Sequence, residues 1–374
     1  ASADFAADII DRGGIGELDY NTLMTKMKSK KAGVSPSISA ISENFSGSTS
    51  PKDIEFFFQY LHAFFTNPRV DENAMELVMN ETKEMMKMLN ANAMYHFFGK
   101  FIGAAMPDPY MSNQLTYTDE YLEKVSFERA VQIYKERFAD AGDFEFYIVG
   151  DCNADSIAPL LAKYLGALPN LKSKEKYKVI DRRLAKGEIK NVFEKHQETP
   201  NSIVMFICHP PMKETLRNEL VVSMLDQAME MVYTETVRED EGGAYGVPVS
   251  ASIADYPEEI AIFQVRLPTA PEKRERMTSV IYKGIDEMVQ NGPSAEKLQK
   301  IKEYMLRSHA ESLKKNNYWM NVLINKTRYN IDSVTDYEKL VNSITAKDIQ
   351  QMAKKIFTAG NRIEVGMTSP LSDK

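Results

Sequence analysis

Cysteine is nearly absent from this sequence of 374 residues. Only Cys152 and Cys208 occur, enough for at most one disulfide and too few for a disulfide framework. So few cysteines suit a cytoplasmic and a periplasmic protein equally, and the compartment stays open. Long hydrophobic runs are missing as well. No stretch nears the ~20 apolar residues that span a bilayer. The most apolar one, Ile54 to Phe65, is interrupted by Glu55, Gln59 and His62 and reads as a buried helix. Membrane insertion is therefore not expected. Nor is positive charge in excess: 46 Lys and Arg stand against 53 Asp and Glu, a net charge of −7, which gives no reason to expect nucleic acid as a partner.

Histidine is sparse too. His62, His96, His196, His209 and His309 include no two that lie three to five residues apart. The sequence therefore lacks H-E-x-x-H, its inverted form H-x-x-E-H and any closely spaced cysteine pair, and no metal site is expected. His62 and His96 sit among aromatics, where packed core histidines are the expectation. Cys208 and His209 adjoin at the end of a strand and point to opposite faces, so they do not easily share a metal. G-x-S-x-G and phosphate-binding glycine loops are also missing.

What is present is ordinary globular composition, 43% hydrophobic and 26% charged, at a length that suggests two domains. The order of elements repeats. Ser126 opens a helix ending near Phe138, followed by Ala141-Gly142 and an apolar strand, Phe144 to Val149. Thr345 opens another, ending near Phe357, followed by Ala359-Gly360 and the strand Arg362 to Met367. Upstream, Ser50-Pro51-Lys52-Asp53 and Ala270-Pro271-Glu272-Lys273 each start a helix with proline in its first turn, and each is followed by a long helix, from Asp71 and near Ser294. The pattern predicts two homologous α+β domains, 1–170 and 191–374, each a mainly antiparallel sheet covered by helices. Alternating segments such as Val34 to Phe45 and Ile260 to Leu267 supply strands. Residues 171–190 are basic and aperiodic, with Lys172, Lys174, Lys176, Lys178, Arg182 and Arg183, and read as a solvated linker.

One segment stands apart: Val237 to Ile253, V-R-E-D-E-G-G-A-Y-G-V-P-V-S-A-S-I. A helix from about Glu214 buries Leu220, Met224, Ala228 and Val232, ends at Arg238-Glu-Asp-Glu and turns at Gly242-Gly243. A strand follows with Tyr245, Val247, Val249, Ala251 and Ile253 on one face, so Arg238 and Tyr245 flank a tight turn. Arg in the last turn of a helix suits the macrodipole, and Tyr in line with valines suits a core. Against those readings, three acidic residues crowd a helix C-terminus, and Pro248 marks the strand as an edge or as open to a cavity.

R-E-x-E-G-G-x-Y-G-V after a long helix resembles the arginine–tyrosine motif of the insulinase/pitrilysin family of zinc metallopeptidases, the inverzincins. F-x-G-S-x-x-x-K-D at Phe45 to Asp53 and F-T-N-P-R-x-D at Phe65 to Asp71 are similar too, and the resemblance covers essentially the whole chain. It implies four homologous α+β domains in two halves that close on a chamber. One half carries zinc on H-x-x-E-H with a further Glu downstream, and the other lends an Arg and a Tyr. By resemblance this chain is the C-terminal, non-zinc half of a metalloendopeptidase that degrades peptides. Tyr245 would then polarise the scissile carbonyl, Arg238 would hold a neighbouring backbone carbonyl, and Gly242 and Gly243 would line the substrate turn. Helix Ala3 to Asp11 would stand where the zinc half keeps its motif, and it carries no histidine. The implied partners are a peptide and a zinc-bearing N-terminal half, on the same chain or a separate subunit. Zinc would be bound there and no cofactor here, so the isolated chain is expected to be inactive. The opening inside a helix, with no Met, reads as a missing upstream region. The alternative is an inactive partner subunit or scaffold of a peptidase-like complex.

Overall fold

A computed structural model describes residues 1–106, 108, 117–172, 183–242, 244 and 246–370. In chain order the helices and strands are α1 (Ser2–Gly13), α2 (Tyr20–Met27), β1 (Ala32–Ile38), β2 (Glu43–Thr49), α3 (Ile54–Thr66), α4 (Glu72–Asn90), α5 (Ala93–Ala105), α6 (Asp119–Leu122), α7 (Phe127–Arg137), α8 (Ala154–Leu160), β3 (Glu188–Glu194) and β4 (Ser202–Cys208). There follow α9 (Leu216–Tyr233), β5 (Val249–Ala254), β6 (Ile260–Thr269), α10 (Arg274–Asn291), α11 (Ala295–Ser312), α12 (Asn316–Tyr329), α13 (Tyr337–Ser343), α14 (Ala346–Phe357) and β7 (Arg362–Thr368). The fold is α+β, its sheets mostly antiparallel and covered by helices.

Helix starts follow the sequence's capping signals. The side chains of Ser126, Ser294 and Thr345 each accept a backbone N–H from three residues on, at Arg129, Lys297 and Asp348. Thr345 and Asp348 form a reciprocal capping box, which satisfies donors the first turn would otherwise leave open. Pro51 and Pro271 each open a 3-10 turn that runs into α3 and α10.

Two compact units form, Ala1–Ala91 with Asn113–Lys178, and Asn92–Ser112 with Val179–Lys374. In the first, α1 buries Phe5, Ala6, Ile9 and Ile10 against α4 and α7. Its start is held by Ser2 Oγ, which accepts the Ser126 N–H, and by Asp4, which accepts the Tyr121 hydroxyl. Phe45 lies within ring-packing distance of Phe64, Phe65, Phe138 and Phe144.

The second unit holds a five-stranded sheet in the order β3-β7-β4-β6-β5, antiparallel except where β3 runs parallel to β7. Every residue of β4 is buried because both faces of the sheet are covered. Val204, Phe206 and Cys208 face the core of α9, α10 and α14, whereas Ile203, Met205 and Ile207 face Phe97 and Phe101 of α5.

That packing places α5, which lies inside the expected span 1–170, against the second unit's sheet. The face of β4 opposite α9 needs an apolar cover, and Phe97 and Phe101 supply it. His96, one residue away on the helix, therefore turns outward. It is exposed, with its ring edge on Phe193, and not the core histidine expected. His62 is half-buried beside Tyr164. Two strand expectations also change. Val34 to Phe45 is not one strand but the hairpin β1-β2, because Ser39 Oγ accepts the Ile41 and Ser42 amides and folds the chain back. Among the described residues, Phe144 to Val149 joins no ladder. Its Phe144 and Phe146 rings lie against Phe65, while Phe146 and Ile148 stay exposed. Both cysteines are free, Cys152 exposed and Cys208 buried. Lys174, Lys176, Lys178 and Arg182 of the basic stretch lie outside the described residues.

Candidate substrate-contacting site

Helix α9 forms because Thr215 caps it and because Leu220, Met224, Ala228 and Met229 bury one face completely or nearly so. At Thr234 it changes character. Thr234–Asp240 is a π-helix, a wider turn that is rare and frequently found at functional sites. Thr234 and Thr236 donate their hydroxyls to the Glu230 and Val232 carbonyls, at 2.9 and 2.8 Å. Within this turn Val237 is fully buried in the core while the next residue, Arg238, is exposed. A buried anchor beside an exposed cation fixes the backbone from which Arg238 projects.

Beyond the π-helix, Gly242 adopts a left-handed φ of 52°, a conformation glycine takes without penalty. Val247 returns to the core, and β5 follows as the edge strand of the sheet. Pro248 sits one residue before the first ladder pair, Val249 with Val265, and its carbonyl accepts the Arg266 N–H at 3.0 Å. Its missing N–H therefore costs nothing, and the expected edge position holds. Arg238 and Gly242 thus share one turn of this unit. Gly243 and Tyr245 lie outside the described residues.

Of the acidic run, Glu241 finds an opposite charge from a distant segment. Arg276 donates to both Glu241 oxygens, at 2.9 and 2.8 Å, and the Lys273 ammonium donates to the Gly242 carbonyl at 3.0 Å. Lys297 pairs with Glu235 of the π-helix at 2.5 Å. Neither the π-turn nor these tethers was expected from the sequence. The paired threonines were the only local signal for the first, and a separation of 31 to 62 residues hid the second.

A polar cavity of about 380 Å³ lies on the first unit, lined by Asp8, Asp11 and Arg12 of α1, by Tyr20, and by Glu81 and Thr82 of α4. Arg12 donates to Glu81 at 2.8 Å and stacks its guanidinium over Tyr20, 4.8 Å from the ring centre. Burial and the neighbouring Asp8 push the Asp11 carboxyl up to about 6. These residues do not fit zinc. α1 offers no imidazole, a guanidinium donates where a ligand must accept, and among the described residues no three His, Cys, Asp or Glu converge on a point that could hold a metal.

Comparison with known proteins decides the kinship. Residues 124–305 match the family model described as the peptidase M16 inactive domain. The chain carries an M16 inactive domain. It is 18% identical over 368 residues to the probable zinc protease PqqL of Haemophilus influenzae, covering 96% of this chain and 38% of that protein. It superimposes on the periplasmic protease PqqL of Escherichia coli with a TM-score of 0.83 at 17% identity, over 98% of this chain and 41% of that one. An M16 inactive domain from Pseudomonas fluorescens gives a TM-score of 0.81 at 14% identity, covering 100% and 89%. The chain thus spans about two fifths of the length of its PqqL relatives. Zinc belongs to that family, and no described helix is long and apolar enough to cross a membrane.

Proposed function

We propose that this M16 chain is the substrate-gripping, non-zinc half of a zinc metalloendopeptidase acting on peptides. The observation that carries this reading is the π-turn, which anchors Val237 in the core and presents Arg238 at the surface. An exposed arginine held this way suits a backbone carbonyl of an extended peptide, since its fork donates two hydrogen bonds in a fixed plane. Tyr245, seven residues on, is the proposed hydroxyl donor to the scissile carbonyl. A donor aimed where negative charge develops contributes about 3–4 kcal/mol to catalysis. Zinc and the water it activates would belong to the complementary half, which the PqqL relatives carry on one longer chain. The proposed organisation of this half is a pair of homologous α+β domains.

The test is a fluorogenic-peptide assay on this chain alone, on the complete enzyme with its zinc half, and on its Arg238→Met variant. The chain alone is expected to be inactive and the complete enzyme active, with kcat/KM reduced about tenfold or more in Arg238→Met. Hydrolysis by the chain alone, or full activity in Arg238→Met, would refute the reading.

A further inference from the structure

Glu241 and Gly242 follow the π-helix, and Gly242 takes a positive φ, a backbone choice that glycine leaves loosely determined by itself. Substrate contacts cannot be placed on such a turn unless something fixes it. Two cations from the start of α10 do so from one side. The Lys273 ammonium meets the Gly242 carbonyl at 3.0 Å, and Arg276 Nη2 bridges both oxygens of Glu241. Lys273 ends the 3-10 turn opened by Pro271, and Arg276 stands three residues on, so both are carried by one rigid element. That element is fixed in turn by Met277, Ile281 and Ile285, which pack in the same core as Val237. The turn is therefore referenced to the core twice, through Val237 on its own strand of chain and through α10 by way of two charges.

We propose that Lys273 and Arg276 are positioning residues, which hold the Glu241-Gly242 turn and so set the placement of Arg238 on the substrate. This rests on the function proposed above. Neither cation is asked to touch substrate. A surface ion pair is weak as a source of stability, because water screens it and two long side chains must be ordered. Placement is a different matter, because displacing a catalytic group by about 1 Å costs on the order of 100-fold in rate. The tethers should thus be visible in turnover and nearly invisible in unfolding.

Two measurements separate the tether from the chemistry. Hydrogen exchange on this chain reads the tether: amides of 241–247 should exchange about threefold to tenfold faster in Arg276→Met and Lys273→Met, with thermal midpoints unmoved, as expected for loss of a surface tether. Steady-state kinetics on the complete enzyme read its consequence. Arg276→Met should lower kcat about fivefold with KM within twofold, as expected when placement of the reacting groups is lost. Arg276→Lys should recover most of that loss, and the charge exchange Glu241→Arg with Arg276→Glu should recover part of it. Unchanged exchange in both variants, or unchanged kcat in Arg276→Met while Tyr245→Phe is impaired, would overturn the inference alone. An unimpaired Tyr245→Phe would remove the proposed function and this inference with it.

Discussion

Asp226 stands in the middle of α9 with one carboxylate oxygen, Oδ1, buried and without a hydrogen-bond partner among the described residues. Burial and the like charge of Glu230, one turn on, push its carboxyl up to about 6. The folded state therefore binds this proton more tightly than the unfolded chain, whose Asp titrates near 3.9. Stability is gained as pH falls from above 6 toward 4, and the full penalty of the charge is carried at pH 7 and above. A rise of that size amounts to about 3 kcal/mol at full strength. The side chain is partly in water, and screening brings the effect to about 1–1.5 kcal/mol. Asp226→Asn removes the charge and keeps the shape. It should stabilise the protein by that amount at pH 8, a gain of roughly 3–5 °C in Tm, and should lose its advantage by about pH 4. The single tryptophan, Trp319, lies in the same unit as Asp226 and bonds the Leu313 carbonyl at 2.8 Å, so urea unfolding can be followed by its emission. A variant no more stable than the parent at pH 8, or one whose advantage is the same at pH 4 and pH 8, would refute the reasoning.

Other expectations follow from packing and caps. A Cβ placed on Gly47 would stand 2.5 Å from the Gly33 carbonyl oxygen and 2.6 Å from the Phe57 ring, so Gly47→Ala should cost about 2 kcal/mol in urea unfolding followed by circular dichroism. A cost under about 0.5 kcal/mol would mean that the hairpin relaxes freely around the methyl group. Thr345→Ala removes the capping box of α14 and should cost about 1 kcal/mol in the same assay, whereas Thr345→Ser should cost little.

Much of the fold was legible because its signals are local. Ser126 and Thr345 each announce a helix through a side chain that caps its own first turn, and the structure uses both that way. The missing N–H of Pro248 pointed to an edge or to a strand open to a cavity, and the sheet order places β5 at the edge. What stayed hidden depends on partners far along the chain. Phe144 to Val149 has the composition of a strand, but composition does not supply a neighbour to pair with. The outward turn of His96 is set by which face of α5 meets β4, about a hundred residues later. At the candidate site, the arginine, the glycines and the tyrosine could be picked out as types at a spacing. The π-helix beneath Arg238 could not, because the shift from one hydrogen-bond ladder to another has little compositional signature. Lys273 was read only as part of a helix start, and Arg276 was not singled out.

The central claim concerns Tyr245, and kcat for Tyr245→Phe in the complete enzyme tests it most directly. Loss of one hydroxyl aimed at the developing oxyanion should lower kcat by about 100-fold or more, with KM within about threefold, and leave the thermal midpoint in place. A kcat equal to that of the parent enzyme would make Tyr245 a packing residue and would contradict the account.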